Sequence, residues 1–195
     1  MPVSYFAVYK GIMPLFKKHL RPGDLGGMIY ELLRANLEGS GDLSMEQLLD
    51  ALGLNRKDLP EQTEGEVMIA LMFAAALAID RSAAVRVAQE IIAGMKSEFS
   101  DHLREQGANS LQLAEWDATV AETFLLYRTA LEGYSGFEPP WKLGRQFFWN
   151  LVGNEDHVAM SIKIATLYLL AARDRTQNLL NSHGPNLILP HPTTQ

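Results

Sequence analysis

Val67-Met-Ile-Ala-Leu-Met-Phe-Ala-Ala-Ala-Leu-Ala-Ile79 is a run of thirteen residues without one polar side chain, framed by Glu64 and Glu66 before it and by Asp80 and Arg81 after it. A run of that kind is either a helix that is apolar on every side or a fully buried strand. Its length and its alanines (Ala70, Ala74, Ala75, Ala76 and Ala78) favour the helix. Thirteen residues rise only about 20 Å, short of the roughly 20 residues a bilayer core requires. A helix with no polar face must be covered by other helices on all sides. The stretch therefore predicts an all-α, single-domain bundle of about seven or eight helices around a buried central helix at 67–79.

On either side of that post the apolar residues step by three and four. Before it, Phe6, Tyr9, Met13, Phe16 and Leu20 make one face of a first helix interrupted by Pro14. Met28, Ile29, Leu32 and Leu33 face inward from a second helix, which Asp24 caps. Ser44 caps the short helix MEQLLDAL, and Gly53 ends it. After the post, Asp80 or Ser82 starts a long helix to about Gln106, with Val85, Val87, Ile91, Ile92, Met95 and Phe99 inward. This helix is expected to pack along the post as an antiparallel hairpin, and Gly94 to permit a close neighbour. Ser110 to Leu131 reads as a helix facing inward through Leu113, Trp116, Val120, Phe124, Tyr127 and Leu131. The aromatic helix at 141–152 offers Leu143, Phe147, Phe148, Leu151 and Val152. A last helix runs from Asn154 to about Leu180, with Val158, Ile162, Ala165 and Leu169 inward. The helical domain is set at 1–184, and a proline-containing tail at 185–195.

With 195 residues, 47% of them hydrophobic, and a mean hydropathy of -0.05, the chain carries enough apolar material for its own core. No cysteine occurs, which excludes disulfides, thiol catalysis, iron–sulfur clusters and thiolate zinc sites. A net charge of -6 argues against general attraction to nucleic acid. The charge is uneven, since residues 1–22 carry Lys10, Lys17, Lys18 and Arg21 and no acid. An ordinary first helix with a solvated basic side is the preferred reading of residues 5–21, and contact with an anionic membrane surface the alternative. No signal-peptide or transmembrane pattern is present, and a cytoplasmic location is expected.

Motifs that would define chemistry are missing. Neither a G-x-S-x-G elbow nor a phosphate-binding loop occurs, so no catalytic residue is named and no cofactor is predicted. Three weaker patterns remain. Glu98, Asp101, His102 and Glu105 share one helix face and could ligate a metal, with Glu115, Asp117 or Glu122 from a neighbour; His102 could alternatively be an axial haem ligand. A solvated polar face is the preferred reading of them. Residues 44–60 have the rhythm of a degraded helix-turn-helix, with Gly53 in the turn, Leu59 six positions on, and Arg56 and Lys57 at the start of the second helix. Against it stand Leu49 where a small residue belongs, Pro60, and acidic surroundings. Finally, Tyr134, Phe137, Trp141 and Trp149 surround the GYSGFEPP connection and mark either a partner-binding surface or a plug for the end of the bundle. The preferred function is a non-catalytic module that binds another protein or another copy of itself. A transcription regulator and a metal- or haem-binding protein are the alternatives.

Overall fold

The computed structural model describes residues 20–39, 43–60, 62–134, 140–153 and 159–183. Among them are seven α-helices, one 3-10 turn and no strand. The helices are α1 (Pro22–Glu38), α2 (Met45–Leu52), α3 (Thr63–Ser82), α4 (Val85–Glu105), α5 (Ser110–Ala130), α6 (Trp141–Val152) and α7 (Ala159–His183), with the 3-10 turn at Arg56–Asp58. The chain is an all-α bundle, as the apolar run demands. Within that run only Leu77 is less than fully buried, and α3 is enclosed by α7 most extensively, then by α4, α1, α5 and α6.

One expected pairing is corrected. Although only Ala83 and Ala84 separate α3 from α4, α4 packs chiefly on α1, which is the most extensive helix pair in the molecule. Glycine is the cause. A methyl group built on Gly94 would run into the backbone of Gly23, and one built on Gly26 would run into the backbone at Ile91 and Met95. Without Cβ atoms the two helices approach backbone to backbone, and Leu25, Ile29 and Leu33 on α1 are sealed completely. Gly94 does admit a close neighbour, but that neighbour is α1 and not α3.

Helix starts also differ from expectation, for local reasons. Pro22 occupies the first position of α1, where its missing N–H costs nothing; Arg21 is the N-cap, and Asp24 accepts a hydrogen bond from the Arg21 N–H at 3.4 Å. α3 continues through Asp80 to Ser82, whose hydroxyl turns back to donate to the Ala78 carbonyl at 2.8 Å instead of starting α4. Asn109, not Ser110, caps α5, accepting from the N–H groups of Leu111 and Gln112 at 3.0 Å each. Ser44 caps α2 as predicted, and Gly53 ends it with φ 68°, a left-handed conformation that favours glycine.

The last helix closes the bundle from the other side. Gly144 of α6 lies against the α7 backbone near Ile162 and Thr166. The Tyr168 hydroxyl donates to the Leu43 carbonyl at 2.8 Å, fastening α7 to the turn before α2. Arg175 reaches Asn36 on α1. Along the remaining side, Phe73 of α3 meets Phe124 edge-on at 5.2 Å between centroids and Tyr127 at 5.1 Å, which fixes the inner face of α5.

Candidate functional site

Among the described residues, the acid–histidine face of α4 does not assemble into a metal site. Residues spaced three and four apart form a row along a helix; three of them converge on one ion only if another element brings ligands across. Here Asp101 pairs with Arg104 one turn on. The half-buried His102 ring lies 6.1 Å from the Tyr30 ring, between centroids, and its Nε2 is 3.1 Å from the Gln106 amide nitrogen. Glu98 rests beside Gly27 of α1, and Glu105 is exposed. Among the described residues no three His, Asp or Glu side chains are grouped to hold a metal ion. Glu115, Asp117 and Glu122 do not complete one. The row borders the α1–α4 seam, where Asp101 and His102 are engaged along their own helix.

Nor does the helix-turn-helix pattern produce a second helix. After the left-handed Gly53, Asn55 accepts from the Lys57 N–H at 3.1 Å and starts a 3-10 turn of three residues, Arg56–Asp58. Recognition helices deliver several side chains to base edges from consecutive turns, and one 3-10 turn cannot. The Arg56 guanidinium is committed to Glu64 of α3 at 2.6 Å. Lys57 is exposed. Leu59 is half-buried against the core, so the segment delivers the chain into α3.

The aromatic group is only partly assembled. Tyr134 lines a cleft of about 30 Å³ with Leu77, Arg81, Leu131, Leu143 and Leu169. That volume has room for about two or three water molecules, and the walls are mostly apolar. Trp141, 38% exposed, opens α6. Trp149 is half-buried two turns further along, and Phe137 lies outside the described residues. No single exposed aromatic patch joins the three that are described.

A different surface lies on the outer side of α5. Leu111 is 68% exposed, Leu125 65% and Leu126 49%. Leu111, Ala114, Ala118, Ala121 and Leu125, all exposed, recur at three and four residues and form a stripe opposite the buried Val120, Phe124 and Tyr127. Glu115 and Glu122 edge the stripe on one side and Asp117 on the other. α5 is thus apolar on two opposite faces, of which the bundle covers one. The three-four spacing was the signal available in the sequence. Other exposed apolar residues are Val85, and Met160 and Leu167, which stand seven apart on α7 with the half-buried Ile164 between them. Val85, expected to face inward, sits in the first turn of α4, beyond the α1 contact.

Electrostatics along the inner edge of α5 are shaped by burial. The Lys96 ammonium stands 4.7 Å above the Phe124 ring centre; burial pulls its pKa down, opposed by the nearby Asp117. Burial also pushes the Glu66 carboxyl above the usual glutamate range. The Tyr127 phenol, raised by burial and then by the charge of Glu66, accepts a hydrogen bond from the Asn150 amide at 3.4 Å. These groups sit between packed helices. No helix among the described residues is long and apolar enough to cross a membrane. Comparison with known proteins finds no matching family model, curated protein or solved structure.

Proposed function

We propose that this protein is a helical association module that works by binding another protein or another copy of itself, with the outer face of α5 as the contact surface. The supporting observation is the two-faced character of α5: its inner side belongs to the core, while Leu111 and Leu125 expose well over half of their surface on the other. Apolar residues at regular helical spacing on an exposed side are the pattern by which a helix recruits a second helix. Ala114, Ala118 and Ala121 between the two terminal leucines leave a shallow trough that lets a partner backbone come near. Among the described members of the aromatic group, Trp141 is the exposed one and belongs to a different part of the surface.

Leu125→Glu is the direct test. Native mass spectrometry of the parent should show multiples of the 21.7 kDa chain, and the variant should shift to the single-chain mass with unchanged helical circular dichroism. A parent that is monomeric at all concentrations, with a variant indistinguishable from it, would remove self-association through the α5 face.

A further inference from the structure

Resting on the reading of α5 as an association surface, we infer that its occupant is the basic segment of residues 6–18 from a second copy of this chain. The argument starts from matched patterns. On α5 the exposed seam is Leu111, Ala114, Ala118, Ala121 and Leu125; ahead of α1 the sequence places Phe6, Tyr9, Met13, Phe16 and Leu20 at the same alternation of three and four. One series is small in its centre and the other is bulky throughout. Bulky side chains entering an alanine trough allow close helix packing, whereas two bulky seams would hold the helices apart.

Charge fixes the orientation. Glu115 and Glu122 each follow a seam position by one residue, Ala114 and Ala121, and neither has an ion-pair partner among the described residues. Lys10 and Lys17 follow Tyr9 and Phe16 in the same way. In antiparallel paired helices such positions face each other. A single antiparallel register sets Tyr9 beside Leu125, Met13 beside Ala121 and Phe16 beside Ala118, and that same register brings Lys10 to Glu122 and Lys17 to Glu115. A parallel arrangement would set the glutamates beside Ile12 and His19 instead.

The source is a second copy because the chain's own segment is too short. Leu20 is packed against the core. With Lys17 at Glu115, three residues remain to Leu20, about 10 Å fully extended. α1 meets α4, and α5 lies beyond α4, so the path crosses two interhelical spacings of about 8–10 Å each before it reaches the outer side of α5. Two copies that exchange these segments form a closed two-fold dimer.

The test uses the full chain, mixed in equal parts unlabelled and nitrogen-15-labelled, treated with a zero-length carbodiimide cross-linker and read by mass spectrometry. Lys10–Glu122 and Lys17–Glu115 linkages are expected, roughly half of them joining one light and one heavy chain, as exchange between freely mixed copies requires. Glu115→Lys with Glu122→Lys should abolish the linkages and weaken the dimer about tenfold or more. Adding Lys10→Glu and Lys17→Glu should restore the dimer. Absent linkages, linkages confined to one label, or a failed restoration would each overturn the inference. If Leu125→Glu still disrupts self-association in that event, α5 remains the association surface and only its occupant was misassigned.

Discussion

Two tyrosines buried to similar depth have opposite energetic roles. The Tyr168 hydroxyl is spent on the Leu43 carbonyl at 2.8 Å, so Tyr168→Phe leaves a buried acceptor unmatched and should cost about 1–3 kcal/mol in a urea titration. The Tyr30 hydroxyl, fully enclosed, has no hydrogen-bond partner among the described residues. Tyr30→Phe removes an unpaid desolvation and should leave stability unchanged or raise it. A loss above about 1 kcal/mol for Tyr30→Phe would reveal a hydrogen bond from elsewhere in the chain. Glu66 supplies the pH dependence. Burial raises its folded-state pKa, so the folded protein holds that proton more tightly than the unfolded chain does. Its contribution therefore becomes unfavourable as pH climbs from the ordinary glutamate value through the raised one. Glu66→Gln should stabilise the protein at neutral pH, and denaturation at pH 7 and pH 4 should show the gain shrinking in acid.

Helices chose partners by surface shape as well as by the position of their apolar faces. Periodicity revealed which side of α4 is buried, and its Ile91, Met95 and Phe99 are buried as the pattern requires. It could not reveal that this side meets α1, because the deciding feature is a complementary pair of glycine sites about 70 residues apart in sequence. Gly94→Ala would drive a methyl into the Gly23 backbone and should destabilise by about 1–3 kcal/mol or more. Gly23→Ala, whose added methyl meets nothing within 4 Å, should be neutral or stabilising by up to about 1 kcal/mol through helix propensity. Thermal melts of both variants check the contrast, and equal losses would mean the seam tolerates separation. The outer stripe of α5 went unread for a related reason. A search for the core-facing side stops once Val120, Phe124 and Tyr127 account for it, although Leu111 and Leu125 stand at the same spacing on the opposite side.

At the level of the whole molecule, the fold class was legible because one feature overrides local ambiguity: a helix with no polar face can exist in water only inside other helices. The candidate sites were less legible. Shared helix face is a necessary condition for metal ligands, and Glu98, Asp101, His102 and Glu105 meet it; convergence depends on a second element, which a single spacing does not encode. Arg56 and Lys57 failed differently, because the turn after Gly53 closes as a single 3-10 turn before Leu59 and Pro60. Exposed surface is harder still, since its meaning depends on what comes to cover it.

The central position of α3 has a consequence for how the protein is made. Its most extensive cover is α7, which begins at Ala159, roughly 80 residues after the apolar run has been synthesised. At about 5–20 residues per second, the ribosome completes the run and then takes about 4–16 s to reach the start of α7. Throughout that interval α1 and α4, then α5 and α6, are the described helices available to shield the apolar run. Newborn chains are accordingly exposed to aggregation and to chaperone capture until the final helix closes over Val67–Ile79.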